Sequence, residues 1–539
     1  MVFVSIAVTL VLQLHSEDKS WRGEAAKTMH VLYDTKRAEA CNSREITVYY
    51  NREIACSDTT LEELYLDNDM NLQASALAVS KILKMQVTAL DGDVCELSRS
   101  DNVVVPMQNC VGENLFMPLA DICEAMQLSY VFDEAQNACY ITENTATAQV
   151  LPAQYDLRSE QRVPQVLSQG NNGTCWAFAS LSALESSLLP SEALTFSVDH
   201  LTMNNGFGTS QADGGDFLMA LAYLAAWKGP VYEADDPYGD GVTNTALTAV
   251  KHLQSAVCIG EKDYTAIKKM IMQYGGVQSS FYSDIEYSNV STTYYNMDNA
   301  SYYYNGLNDP NHDIVIVGWD DTYSKEHFNI QPDHDGAFIC QNSWGTSFGQ
   351  NGYFYISYDD YSIGNHNIVY TQIENNDNYD YIYQTDELGW LGSIGYSEPG
   401  AWFANVYTAP ERQQLRAVSF YTTDKNSYYK VYAVPEYSDE ASLKDRILLG
   451  SGYLEQSGYY TVNVDKTVYV EGDYAVMVYV WTQDVQHPIA IEYNSTSIDV
   501  EVDLSDGQGY ISYDGREWQR AEDNYQCNLC LKAFTDGVE

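Results

Sequence analysis

Residues 168–179 read Ser-Gln-Gly-Asn-Asn-Gly-Thr-Cys-Trp-Ala-Phe-Ala, and this stretch decides the fold of the middle of the chain. A polar loop leads into an apolar run that is compatible with a helix up to Leu189, where Pro190 marks the end. Cys175 therefore opens a helix. A helix N-terminus, together with a neighbouring imidazolium, can lower a thiol pKa from about 8.5 to about 3.5–7.5. The position predicts a nucleophile that is ionised at neutral pH, since a merely buried cysteine would not require the two glycines of the loop.

Several motifs around this stretch resemble the papain and cathepsin family of cysteine peptidases. Gln169-Gly170, Gly173 and Cys175-Trp176-Ala177-Phe178 look like the family's active-site signature, and residues 151–158, Leu-Pro-Ala-Gln-Tyr-Asp-Leu-Arg, are similar to its mature N-terminus. Asn311-His312 opens an apolar run, and His312 lies 137 residues after Cys175, within the family's spacing of about 130–150. Gln341-Asn342-Ser343-Trp344-Gly345 follows it. The resemblance covers about residues 150–365. It implies a two-lobed papain-like domain, with the cysteine on a helical lobe and the histidine on a β-rich lobe.

The resemblance assigns catalytic roles that acyl-transfer chemistry requires. Cys175 attacks the peptide carbonyl, and His312 accepts its proton and later protonates the departing amine. Asn342 orients the imidazole. Gln169 and the backbone N–H of Cys175 form the oxyanion hole, where the loss of one donor typically raises the barrier by about 2.7–4 kcal/mol.

Four further residues are expected at the substrate cleft. Gly214 and Gly215 lack side chains, so that an extended substrate backbone can approach them, although a simple turn is the alternative. By the resemblance, Trp344 shields the histidine–asparagine bond from water. Asp313 stands where the family often has a small residue in its second specificity pocket. If Asp313 faces the substrate, a basic or polar P2 side chain is expected.

Two departures from the family pattern occur together. Asn172 and Ala212 stand where the family usually has the two halves of one disulfide. The nucleophile loop is therefore expected to be held by packing alone. Because no catalytic group is lost, activity is expected to be retained.

Composition excludes some classes of partner. The 539 residues carry 75 acidic and 28 basic side chains, for a formal net charge of -47, which repels phosphate backbones and makes nucleic acid an unlikely ligand. The spacing of the histidines predicts no metal site, and no cofactor is expected. The length favours two or three domains.

Two features favour export, and a third indicates a bacterial or archaeal host. Val2 to Leu14 is an apolar run of about the length of a signal-peptide core, although it lacks a basic start and could be a buried strand. Six cysteines precede residue 145, which is compatible with disulfides. Asn172-Gly-Thr174 is a glycosylation sequon beside the nucleophile, so a host that glycosylates sequons routinely is disfavoured. Cys527 and Cys530 are interpreted as core or disulfide residues.

The regions on either side predict further domains, separated by polar linkers at Glu143–Gln149 and Glu374–Asn378. Residues 45–142 contain two helix-then-strand patterns, at 72–90 and 117–132, and resemble the N-terminal α+β module of some copper amine oxidases, without a copper site. The third part alternates apolar and polar residues in four short runs, which predicts an antiparallel β-sandwich. Its strand order resembles the lectin-like domain of some bacterial papain-type peptidases.

The sequence thus predicts a multidomain α+β protein, divided into a possible signal segment (1–20), an α+β module (40–145), a papain-like domain (150–370) and a lectin-like β-sandwich (379–537). The expected function is that of an extracellular or cell-surface cysteine endopeptidase acting on proteins or peptides, with possible carbohydrate binding by the last domain. Two alternatives stay open. One is an adhesin or carbohydrate-binding protein whose peptidase domain is inert, and the other is a cysteine-dependent transferase acting on non-peptide acyl groups.

Overall fold

The computed structural model describes residues 38–538, except 52, 59, 100–103, 109, 111, 113, 135, 143–150, 286–289, 495–499 and 506. The possible signal segment and the linker Glu143–Gln149 lie outside the described residues. The chain divides into two compact units, one of residues up to 146 without 88–91, and one that contains the rest. Within the described residues, every helix is too short or too polar to cross a bilayer.

The described part of the N-terminal unit contains a helical stretch at 38–42, short strands and two further helices. Each of the two predicted helices is present, but each begins later than expected and is preceded by a short strand. The elements are β1 (Ile46–Tyr50), β2 (Glu53–Asp58), β3 (Leu64–Leu66), β4 (Leu72–Ala74), α1 (Ala76–Leu83), β5 (Gln86–Ala89), β6 (Val94–Ser98), β7 (Val104–Gln108), β8 (Met117–Pro118), α2 (Leu119–Ala125), β9 (Ser129–Asp133) and β10 (Ala138–Thr142). Ser75 sets the start of α1, because its side chain accepts a hydrogen bond from Ala78 N.

The predicted repeat is visible in this unit as two strand–helix–strand copies, β4-α1-β5 and β8-α2-β9, whose first strands pair with each other. The six cysteines of the unit are buried free thiols, so the expected disulfides are absent from the structure. The resemblance to copper amine oxidase modules stays a prediction.

The middle region has a helical part and a sheet. The helices are α3 (Cys175–Leu188), α4 (Val198–Asn204), α5 (Phe217–Ala225) and α6 (Tyr264–Gln273), and the strands are β11 (Gln154–Asp156), β12 (Lys251–Ile259), β13 (Val277–Phe281), β14 (Tyr295–Asn296), β15 (Ser301–Tyr302), β16 (His312–Asp320), β17 (Ala337–Gln341), β18 (Tyr353–Ser357) and β19 (Asn367–Asn375). Helix α3 packs on α4 and α5 on one side and on β16 and β19 on the other. The long apolar helix and the apolar strand that begins at His312 therefore meet in one core.

The C-terminal region is an antiparallel β structure around its own apolar core, in agreement with the predicted class. Its elements are β20 (Tyr381–Tyr383), β21 (Gly392–Ile394), β22 (Gly400–Thr422), β23 (Ser427–Val434), β24 (Ile447–Leu454), β25 (Ser457–Asn463), β26 (Tyr469–Thr482), β27 (Ile489–Tyr493), β28 (Gly509–Ser512), β29 (Gln519–Arg520), α7 (Ala521–Tyr525), β30 (Cys527–Leu529) and β31 (Leu531–Gly537). The four predicted runs are 417–421, 428–433, 459–464 and 474–480, and they overlap β22, β23, β25 and β26 in that order. Cys527 and Cys530 are buried free thiols, which agrees with a core position.

The middle and C-terminal regions share a sheet. Strand β12 pairs with β19 of its own region and, through Ser255 to Cys258, with β25 of the next. A Cβ at Gly458 would collide with the carbonyl oxygen of Ala256, so this close approach needs glycine. The segment Glu374–Asn378, interpreted as a linker, is structured, because β19 extends to Asn375 and Asn378 Oδ1 lies 2.7 Å from His252 Nδ1.

Candidate active site

Cys175 lies at the first residue of α3, where the sequence placed it. It lines a cavity of about 680 Å³ together with His312, Gly214, Gly215 and Asp313. The predicted nucleophile, the predicted base and three of the residues predicted for substrate contact therefore line one surface depression between α3 and the start of β16.

A Cys175 thiolate was predicted from the helix N-terminus together with a neighbouring imidazolium, and the structure shows what opposes it. Burial, with the Asp313 carboxylate nearby, raises the pKa of the Cys175 thiol to about 11, and backbone N–H groups of Asp313, Trp176 and Cys175 oppose this rise. A thiolate at neutral pH therefore needs a base that takes the proton and stays beside the sulfur as a cation.

His312 has the orientation that such a base requires. Its Nε2 lies 2.8 Å from Asn342 Oδ1, and the same oxygen accepts a hydrogen bond from Ser343 N at 2.7 Å. Because a backbone N–H can only donate, the amide oxygen faces the histidine, and the Nε2 of the neutral ring carries the proton. Nδ1 then has a free lone pair for the thiol proton. Burial lowers the pKa of His312 to about 4, while the bond to Asn342 raises it.

Trp344 covers this histidine–asparagine pair, as the resemblance implied. Its ring centroid lies 4.6 Å from that of His312, and Phe281 contacts the imidazole from another side at 5.6 Å. The apolar rings exclude water from the hydrogen bond, which strengthens it electrostatically.

Gln169 has one amide proton available for a substrate oxygen. Its Oε1 accepts a hydrogen bond from Ser343 Oγ at 2.7 Å, and its Nε2 donates to the carbonyl oxygen of Asn172 at 2.8 Å. The amide therefore has a fixed orientation, and the second N–H of Nε2 is left as a donor. Ser343 was quoted within a sequence motif, but its effect on Gln169 was not foreseen.

Tyr238 is the residue that sequence reasoning missed. Its hydroxyl donates to the carbonyl oxygen of Gln169 at 2.9 Å, accepts from Asn172 Nδ2 at 3.1 Å, and lies 2.8 Å from Thr174 Oγ1. The expectation that packing alone holds the nucleophile loop is therefore wrong, because one hydroxyl contacts three of its residues.

The two glycines of the cleft differ. Gly214 has a φ of +83° and open space where a Cβ would be, so it is exposed to an incoming backbone. A Cβ at Gly215 would collide with the Trp176 ring. Gly214 suits the predicted substrate contact, and Gly215 is required at least by packing.

Asp313 is less available than the sequence suggested. It is 9% exposed, and its carboxylate accepts hydrogen bonds from Ser280 Oγ at 2.6 Å and Gln278 Nε2 at 2.8 Å. Burial raises the pKa of Asp313. Its side chain does not project freely into the cavity but forms part of the wall.

The arrangement places a thiol, an oriented imidazole and fixed N–H donors around one cavity, which is what nucleophilic acyl transfer requires. Within the described residues, no three His, Cys, Asp or Glu side chains are grouped so that they could hold a metal ion.

Comparisons with known proteins match two regions of the chain. The family model for papain family cysteine proteases matches residues 151–373, and the model for lectin-like domains matches residues 382–535. The cathepsin B-like CP1 of Giardia intestinalis is 29% identical over 234 residues, which are 40% of this chain and 71% of that protein. The chain spans 62% to 71% of the length of the first curated relatives that it matches.

Two solved structures resemble both matched regions. The clostridial cysteine protease Cwp84 after propeptide cleavage gives a TM-score of 0.64 at 26% identity, over 71% of this chain and 99% of that chain. The cysteine protease and lectin-like domains of Cwp84, a surface layer associated protein of Clostridium difficile, give 0.63 at 25% identity, over 74% and 91%.

Proposed function

The chain is a papain-like cysteine peptidase that carries a lectin-like domain, and on that premise we propose that it is an endopeptidase using Cys175, His312, Asn342 and Gln169. The observation that carries the proposal is the pair of hydrogen bonds that Asn342 Oδ1 accepts, one from Ser343 N and one from His312 Nε2. It leaves the imidazole nitrogen Nδ1 as a base at the cavity that Cys175 lines.

The reaction follows from these positions. The Cys175 thiol proton moves to His312 Nδ1 as sulfur attacks the substrate carbonyl carbon, so thiolate and imidazolium arise as a pair. The carbonyl oxygen becomes an oxyanion that accepts hydrogen bonds from the free Gln169 N–H and from Cys175 N–H. His312 then protonates the departing amine, and water hydrolyses the thioester by the same route in reverse.

Labelling with a thiol-directed epoxide inactivator tests the nucleophile. We expect wild type to be labelled once and inactivated, and Cys175→Ala to lose both labelling and peptide cleavage. Cys258→Ala is the matched control, because that thiol lies in the shared sheet and burial raises its pKa to about 12. A wild-type protein that is labelled but cleaves no peptide in a library would favour transfer to non-peptide acyl groups, and one that is not labelled would favour an inert domain.

The setting of the reaction is also a proposal. We infer that the protein works outside or on the surface of a bacterial or archaeal cell, where proteins or peptides are its substrates. The apolar run Val2 to Leu14 and the likeness to a surface layer associated protein support this. Fractionation of the source cells should recover the protein outside the cytoplasm; recovery from the cytoplasm alone would contradict the inference.

We also propose that the lectin-like domain binds cell-surface carbohydrate. Exposed tyrosines on that domain support this, because ring faces can stack on sugars; they are Tyr381, Tyr469, Tyr493, Tyr513 and Tyr525. Sedimentation of Cys175→Ala protein with purified cell walls, with and without competing wall polysaccharide, tests it. Equal sedimentation in both samples, or none, would contradict carbohydrate binding.

A further inference from the structure

Among the described residues, the wall of the cavity beside Cys175 contains acidic side chains and no lysine or arginine. Its wall contains four carboxylates and two imidazoles, which are Asp213, Asp216, Asp309, Asp313, His312 and His366. Three of the carboxylates are exposed at the rim, and Asp313 is buried.

Asp313 is the unusual member of this set. Both of its hydrogen-bond donors, Ser280 and Gln278, are neutral. Within the described residues, Asp313 forms no ion pair with a lysine or arginine, and the imidazole of His366 is a basic group that acts on its charge. A buried carboxylate without a cation is costly, and the cost is removed when a cation is brought to it.

The rest of the wall suits a long, partly apolar side chain. Phe217 and Leu218 follow Asp216 at the start of α5 and are half-buried beside the cavity. Lysine and arginine combine an aliphatic stem, which packs on such residues, with a cationic tip.

We propose that this cavity takes a lysine or arginine side chain of the peptide substrate, whose cation pairs with Asp313. The proposal rests on the proposed peptidase function and names the substrate class of the same site. Peptides with a basic residue near the scissile bond are therefore the preferred substrates.

The same contact acts on the nucleophile. Asp313 follows His312 directly, and its carboxylate disfavours the Cys175 thiolate in the empty cleft. A substrate cation beside Asp313 offsets this repulsion, so a basic side chain promotes attack as well as binding. Removal of the carboxylate should accordingly favour cleavage of uncharged substrates.

A positional library of fluorogenic tripeptide amides tests the proposal, with lysine, arginine, norleucine or glutamate at each of the three positions before the scissile bond. Norleucine matches lysine in its stem and lacks the charge. For wild type we expect kcat/KM for lysine or arginine to exceed that for norleucine about ten- to hundredfold at one position. In Asp313→Ala and Asp313→Asn the ratio should fall below about threefold, with norleucine substrates cleaved as fast or faster.

Asp298→Asn is the matched control, because it removes an exposed charge that lies outside the cavity wall and should keep the preference. Active-site titration with the epoxide normalises each variant to its folded fraction, and the second Asp313 variant covers a failure of the first to fold. A wild type that cleaves norleucine peptides best at all three positions, or a preference that survives in both Asp313 variants, would overturn this inference alone. Cleavage of no peptide by labelled wild type would overturn the proposed function, and this inference with it.

Discussion

The lectin-like domain and the protease cleft each contain a buried carboxylate, and the two differ in the groups that compensate its charge. In the lectin-like domain, Lys532 Nζ lies 2.9 Å from Asp386 Oδ2, and the two side chains are 2% and 0% exposed. In the cleft, Asp313 has only the neutral donors Ser280 and Gln278. The first carboxylate has its cation within the chain and serves the fold. The second is left without one at a cavity, where a ligand can supply it.

Removal of the internal cation should have the largest effect. Lys532→Met leaves Asp386 buried and unpaired, and we expect the free energy of unfolding to fall by about 3–5 kcal/mol, since breaking a buried pair from one side costs that much. Urea denaturation followed by fluorescence measures it. Asp313→Asn is the comparison variant and should change stability by less than about 1 kcal/mol, because no cation loses its partner.

The double variant Lys532→Met with Asp386→Leu should recover most of the loss, as replacing both partners of a buried pair by apolar groups is often neutral. If Lys532→Met costs no more than Asp313→Asn, the contrast between the two regions does not hold.

A third buried carboxyl group, that of Glu185, avoids an unpaired charge by retaining its proton. Glu185 lies in α3, accepts a hydrogen bond from Phe196 N at 2.8 Å, and burial raises its pKa to about 8. Below about pH 4.5 the carboxyl is neutral in both the folded and unfolded chain, and its stabilising contribution is complete. As the pH rises towards 8, the unfolded chain releases the proton while the folded chain retains it, so the free energy of unfolding falls.

Between pH 5 and pH 8.5 we therefore expect wild type to lose on the order of 3 kcal/mol more stability than Glu185→Gln, measured by urea denaturation at each pH. The exposed Glu261, changed to Gln, should leave the pH dependence as in wild type. Identical pH dependence in wild type and Glu185→Gln would show that this carboxyl is not held protonated.

The fold was predictable where the pattern is local. Alternating residues predicted four strands of the C-terminal domain, but not that the first belongs to a strand of 23 residues, β22. That strand passes through Pro410 and a polar stretch, with a shift of register between Ala409 and Gln413, and its partners β26, β25 and β31 are distant in sequence. From the sequence alone, Asn378 was likewise interpreted as part of a linker, because its partner His252 is far away in the chain.

The residues of the candidate site also divide into those that a local sequence motif predicts and those that depend on distant contacts. Cys175, His312, Asn342 and Gln169 lie in short motifs with recognisable neighbours. In the structure, Cys175 and His312 line one cavity, Asn342 contacts His312, and Gln169 contacts Ser343, the neighbour of Asn342. Tyr238 was missed because its contacts span more than sixty residues, and no local pattern marks them. The raised pKa of the Cys175 thiol was missed because it depends on burial and on Asp313, which reaches the sulfur only through the tertiary fold.

In contrast to the ion pair of the lectin-like domain, neutral hydrogen bonds hold the nucleophile loop of the protease cleft. The variant Tyr238→Phe tests their contribution. Loss of the hydroxyl removes contacts to Gln169, Asn172 and Thr174, and we expect kcat/KM to fall about tenfold, as expected for one to three neutral hydrogen bonds. The exposed Tyr232, changed to Phe, is the control and should retain full activity. Unchanged kinetics in Tyr238→Phe would mean that packing holds the loop after all.

The smallest effect is expected at Ser343, whose hydroxyl fixes the orientation of the Gln169 amide. Ser343→Ala leaves the amide in place but free to rotate, so we expect kcat to fall about fivefold with KM nearly unchanged, because oxyanion donors act in the transition state. Ser343→Thr retains a hydroxyl and should restore most of the rate. An equal loss in both variants, or a change confined to KM, would mean that Ser343 contributes through packing rather than through the orientation of Gln169.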